Sequence, residues 1–167
     1  MRAAVLAACL GTFLAALPAS GPGWAGEPAT ASPGIAPRRI ASINLCADQL
    51  VLRLADRERI VSVSSLARDP RISNTAAEAG SVPVNRRSAE EIVRLAPDLV
   101  VSGRFGPRKT NEALRRLGIP VFELDVAESI ADVRRTIREL AAALGVRARG
   151  EDMIRGIDDA LAALPQP

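Results

Sequence analysis

Cys46 and Asp48 are the residues whose types alone suggest chemistry. They are a thiol and a carboxylate two positions apart in "RIASINLCADQL", Arg39 to Leu50, where an apolar extended run turns into a helix. A thiol at a helix N-terminus gains reactivity from the helix dipole. Covalent catalysis also needs a base, and the chain contains no histidine to act as one. A secreted enzyme with Cys46 or Asp48 as its working group is therefore the weaker of two readings. The stronger has Cys46 packed as a small apolar residue at a strand-to-helix turn, on the rim of a site, with ligand contact as the alternative role.

Arginine is the other reactive resource. Of the 22 basic residues only Lys109 is a lysine, a ratio that, together with the abundant alanine, reflects coding bias more than selection for guanidinium chemistry. Six arginines nevertheless fall in loops at one predicted sheet edge: Arg68, Arg71, Arg86, Arg87, Arg104 and Arg108. Forked guanidinium hydrogen bonds there would suit an anionic ligand. Other site types find no support. The turn "NLCAD" lacks the glycines that let a backbone approach a pyrophosphate. Without histidine or clustered thiolates, a transition-metal site made of side chains is not expected, and no cofactor is implied. Aromatic residues are 2% of the chain and interleave with no basic run, so nucleic-acid binding is not expected either.

These residues must be positioned by one domain, for 167 residues are enough for a single core. Arg2, the apolar run Ala3 to Leu17, Pro18 and the small residues around "GWA" read as a signal peptide over 1–25, cleaved before Gly26. The apolar run is short for a retained membrane span. "LAAC", ending at Cys9, resembles a lipoprotein box, but the apolar run continues beyond it, so lipidation is not the expected route. Residues 26–37, "GEPATASPGIAP", suit a flexible linker. If Cys9 leaves with the signal, Cys46 is the one remaining thiol and no internal disulfide can form.

From Arg38 onward, strands and helices alternate. "RRIASI" and "RIVSV" read as strands flanking a helix that carries Leu50, Val51 and Leu54. After a polar stretch comes a short extended "VPV", Val82 to Val84. Ser88 and Glu91 form a capping box for "AEEIVRLA", which Pro97 stops. "DLVVSG", a helix from Pro107 to Leu117, "IPVFELD" and a helix capped by Ser129 follow, the last ended by Gly145. A final helix is predicted over Ala148 to Leu164. Parallel strands need crossover helices, so the pattern predicts an α/β fold with an open parallel sheet and flanking helices. In such sheets ligands sit beyond the carboxyl ends of the strands.

The order of "RRIASINLCADQLVLRLADRERIVSVSSLARDP", "SAEEIVRLAPDLVVSG" and "TNEALRRLGIPVFELD" resembles the N-terminal lobe of periplasmic solute-binding proteins of ATP-binding-cassette importers, of the iron-siderophore and cobalamin class. The resemblance covers Arg38 to Leu164 and is most specific in "EEIVRLAPDLVV". It implies one lobe of a two-lobed receptor: an α/β binding lobe over 38–145, then the start or bulk of the inter-lobe helix over 146–167, with the second lobe absent. An inactive half-receptor is a further alternative. By position it implies ligand contacts at Asn44, Cys46, Ser65, Arg68, Asn85, Arg86, Arg104 and Phe105, and docking to the importer permease through Glu90 and Glu91. Relatives that bind cobalamin line the cleft with aromatic residues, whereas the matching loops here carry Leu66 and Val84. That shifts the expected cargo toward a ferric chelate or another anionic complex.

Overall fold

The computed structural model describes residues 36–165. The predicted signal peptide and most of the predicted linker lie outside the described residues. The order of elements is β1 (Ile40–Ser42), α1 (Leu45–Leu54), β2 (Ile60–Ser64), α2 (Ala76–Ala79), β3 (Val84–Asn85), α3 (Ala89–Arg94), β4 (Leu99–Gly103), α4 (Arg108–Arg116), β5 (Val121–Leu124), α5 (Ile130–Ala143) and α6 (Arg147–Ala162). All four strand pairings are parallel, and the sheet runs β3-β2-β1-β4-β5. Strand order therefore reverses between β1 and β4, which opens a crevice at their carboxyl ends.

The three central strands, β2, β1 and β4, are buried on both faces. Ile40, Leu99 and Val101 point into a core built with Val51 and Leu54 of α1 and Leu140, Ala141 and Leu144 at the end of α5. Ala41, Ile43 and Val100 point the other way, against Ile92 of α3 and Leu114 of α4. Alternation of side chains along each strand produces the two cores, and continuous apolar strands are what a doubly covered parallel sheet requires.

The helix boundaries follow local chemistry. Ser88 Oγ accepts from Glu91 N at 3.3 Å, and Ser129 Oγ accepts from Asp132 N at 3.1 Å, each satisfying an orphan donor at a helix start. Gly118 and Gly145 close α4 and α5 at φ +77° and +73°, a conformation open to a residue without Cβ. Ala96 adopts φ +45° and ends α3 two residues short of the predicted helix. The polar stretch after β2, for which no helix is predicted, contains a 3₁₀ turn at Ser65–Arg68 and the single turn of α2.

The last helix begins one residue before its predicted start and ends two before its predicted end. Its 16 residues span about 24 Å. It folds back on α5: Gly150 and Ile154 are buried, Arg134 pairs with Asp158 at 2.5 Å, and Arg138 pairs with Glu151 at 2.8 Å. Arg149 Nη1 donates to the Leu54 carbonyl and Nη2 to Asp56 at 2.8 Å, tying α6 to the end of α1. Among the described residues no helix is long and apolar enough to cross a membrane.

Candidate functional site

Beyond the carboxyl ends of β1, β4 and β5 lies an open cavity of about 380 Å³. Asn44 stands at its floor. This residue leaves β1 in an extended conformation and caps α1, its Oδ1 accepting from Cys46 N at 3.0 Å and Ala47 N at 3.4 Å. Gly103, at the end of β4, faces it so closely that a Cβ there would sit 2.8 Å from Asn44 Nδ2. The two strand ends at the reversal of strand order thus meet without intervening side-chain bulk.

Arg104, Phe105, Asp125 and Val126 form the rim, and Val133, Thr136 and Ile137 of α5 line the far wall. Phe105 is 69% exposed and Val126 56%, a large apolar surface for a hydrophilic loop edge. Arg104 Nε pairs with Asp125 at 2.6 Å, with both side chains open to solvent. An anion entering the cavity would compete with Asp125 for the guanidinium.

Cys46 lines this cavity and is exposed, which corrects the expectation that it packs. The reason lies in the helix phase: α1 buries Ala47, Asp48, Val51 and Leu54, so Cys46 falls on the opposite side of the first turn. The residue that turns inward is Asp48, fully buried, whose carboxylate accepts from Ser64 N at 3.0 Å and from Ser64 Oγ. Burial raises its pKa above the ordinary carboxylate value, while the Ser42 and Ser64 hydroxyls, the Ser64 N–H and the charge of Arg87 pull it back. Shielded from the cavity, Asp48 fastens α1 to β2.

The remaining predicted ligand contacts divide. Asn44, Cys46, Arg104 and Phe105 come together at the cavity. Arg68 does not join them: its guanidinium donates to the carbonyls of Ala79 at 3.2 Å, Gly80 at 3.3 Å and Val82 at 2.6 Å, satisfying the end of α2 and the turn before β3. Asn85 is fully buried and donates to Ser42 O at 2.8 Å and Ser62 Oγ at 2.9 Å, stitching β3 to β1 and β2. Ser65 is exposed at the 3₁₀ turn after β2, and Arg86 is exposed at the end of β3; neither lines the cavity. On α3, Glu91 accepts from Arg86 N at 2.7 Å and is half-buried, whereas Glu90 is exposed. The predicted ligand contacts include neither Asp125 nor the α5 wall. Asp125 was visible as the last residue of a predicted strand, but nothing in the sequence shows that α5 leans over that strand's end.

An apolar-rimmed crevice at the point where strand order reverses is the place where open α/β sheets take small ligands. A family model described as periplasmic binding protein matches residues 40–167, and the chain belongs to that family. A protein named cobalamin-binding protein from Halobacterium salinarum is 32% identical over 133 residues, which are 75% of this chain and 36% of that protein. Among solved structures, the apo periplasmic heme-binding protein from Roseiflexus sp. RS-1 superposes with a TM-score of 0.62 at 30% identity, covering 75% of this chain and 48% of that one. The periplasmic vitamin B12-binding protein of Vibrio cholerae shares the fold, with a TM-score of 0.60 at 21% identity over 75% of this chain and 49% of that chain. The chain spans about half the length of these structures and about a third of the Halobacterium protein.

Proposed function

We propose that this chain serves as one lobe of an exported receptor that carries a bulky metal complex, a ferric chelate or metal tetrapyrrole, to the permease of an ATP-binding-cassette importer. The observation that carries the reading is the cavity itself: an open hollow at the β1/β4 crevice with Phe105 and Val126 exposed at its rim. Such a surface suits the flat or rounded apolar face of a chelate. The Arg104–Asp125 pair beside it offers exchangeable polar contacts. The relatives named for cobalamin and for heme support a tetrapyrrole ahead of other chelates, which moves the cargo away from the siderophore preference drawn from Leu66 and Val84.

An open wall of this kind covers one side of its ligand, and high affinity needs most of the ligand surface buried. We place the opposing wall on a second lobe, with α6 leading toward it, and Glu90 on the outer face as the permease contact. Absorbance titration of the purified chain with hemin, cyanocobalamin and ferric siderophores tests the reading. Weak binding, of about millimolar strength, is expected, as follows from losing roughly half of a micromolar interaction energy. Phe105→Ala and Arg104→Ala are expected to weaken it further. Affinity for sugars or amino acids in place of metal complexes, or metal-complex binding indifferent to both substitutions, refutes the proposal.

A further inference from the structure

The cations at the carboxyl edge of the sheet are unevenly compensated. Arg104, beside the cavity, is paired. Arg86 and Arg87 at the end of β3, and Arg108 and Lys109 at the start of α4, take part in no ion pair among the described residues. Thr110 Oγ1 donates to the Arg87 carbonyl at 3.0 Å, so the first turn of α4 lies against the Arg86–Arg87 turn and the four cationic residues share one stretch of surface.

That turn is held in an unusual shape. Arg87 has φ +66°, a region that disfavours a residue with a long side chain, and its N–H is fixed by Asn85 Oδ1 at 3.1 Å. Of the nearby carboxylates, Glu91 is occupied by Arg86 N, Glu123 by Arg115 and Asn111, and Asp48, which the charge of Arg87 reaches, is buried against Ser64. Glu90 and Glu112 remain, fewer than the cations they would have to balance. Arg108 links this surface to the cavity: with Arg104, Phe105 and Arg115, and the carboxylates of Glu112 and Glu123, it lines a second hollow beside it.

Resting on the metal-complex reading above, we infer that the cargo lies across this wall in one orientation, its apolar body over Phe105 and Val126 and two or more carboxylates along one edge turned to Arg86, Arg87, Arg108 and Lys109. Unpaired guanidinium groups favour carboxylates through forked, charge-assisted hydrogen bonds. A macrocycle with paired carboxylates on one edge, as in hemin, satisfies both halves of the wall. A corrinoid, with amides around its ring and a single phosphodiester, leaves most of the cations unanswered.

The experiment compares hemin, hemin dimethyl ester and cyanocobalamin by absorbance titration against the full chain. Hemin is expected to bind at least about tenfold more tightly than either of the others. Arg87→Asn combined with Arg108→Gln should bring hemin down to the affinity of its ester and leave the ester unchanged; Asn tolerates the left-handed conformation at position 87. Phe105→Ala should weaken acid and ester alike. Equal affinity for hemin and its ester, a preference that survives the double substitution, or tighter binding of cyanocobalamin overturns the inference while leaving the metal-complex reading in place. Failure of all three compounds to bind overturns the inference, and only if ferric siderophores also fail to bind does the metal-complex reading fall with it.

Discussion

Replacing Asp48 separates its fastening role from its charge. The carboxylate is buried and receives Ser64 N at 3.0 Å and the Ser64 hydroxyl. Asp48→Ala leaves both donors without an acceptor in the interior. Each stranded buried group costs about 1–3 kcal/mol, so the variant should lose roughly 2–6 kcal/mol, a large part of a typical stability of about 5–15 kcal/mol. Asp48→Asn behaves differently. Its amide oxygen can accept from Ser64 N and its NH₂ can donate to Ser64 Oγ, so the expected change is within about 1 kcal/mol. The two variants also part in their pH dependence. Burial raises the folded pKa of Asp48 above its unfolded value of 3.8, so the folded state holds the proton more tightly than the unfolded state does. Stability from this group is then full at low pH and falls as pH climbs from the unfolded pKa through the folded one. Asp48→Asn has no proton to lose and should erase that fall, gaining on the native chain toward neutral pH. Urea unfolding across acidic to neutral pH measures both effects. An Asn variant as unstable as the Ala variant, or one that keeps the native pH slope, would refute the assignment.

Three shorter predictions test other contacts. Cys46, exposed at the cavity, should react promptly with a bulky thiol reagent in the native state, and Cys46→Ser should change stability by less than about 0.5 kcal/mol; slow labelling would restore the packed role. Gly150→Ala places a Cβ 2.5 Å from Ala141 Cβ across the α5–α6 contact and should cost about 1–3 kcal/mol by forcing the helices apart, seen as a lowered Tm. Glu90→Arg lies on an exposed first turn and should leave folding intact; in a receptor with both lobes it should abolish transport, and normal uptake would remove Glu90 from the docking surface.

What the sequence determined by itself was local. Alternating β-rich runs and capped helices required parallel strands with crossovers, because a short connection cannot return a chain to a parallel neighbour. Ser88, Ser129 and Gly145 marked helix ends since their capping chemistry acts over three or four residues. The carboxyl ends of the strands were legible as the candidate ligand edge, because parallel strands all end on one side of the sheet. Tertiary structure decided the rest. Only the strand order sets β1 beside β4, and so brings Asn44 against Gly103 across a long separation in sequence. Arg68 and Asn85 look like free ligand contacts when read along the chain, yet orphan carbonyls at the end of α2 and on β1 claim them, since buried backbone groups must be satisfied. At α1 the phase of one turn exposes Cys46 and buries Asp48. A helical wheel drawn through Val51 and Leu54 puts Asp48 on their face, but a buried carboxylate is tolerable only if a partner waits for it. That partner, Ser64, sits on the neighbouring strand, where only the folded sheet can bring it.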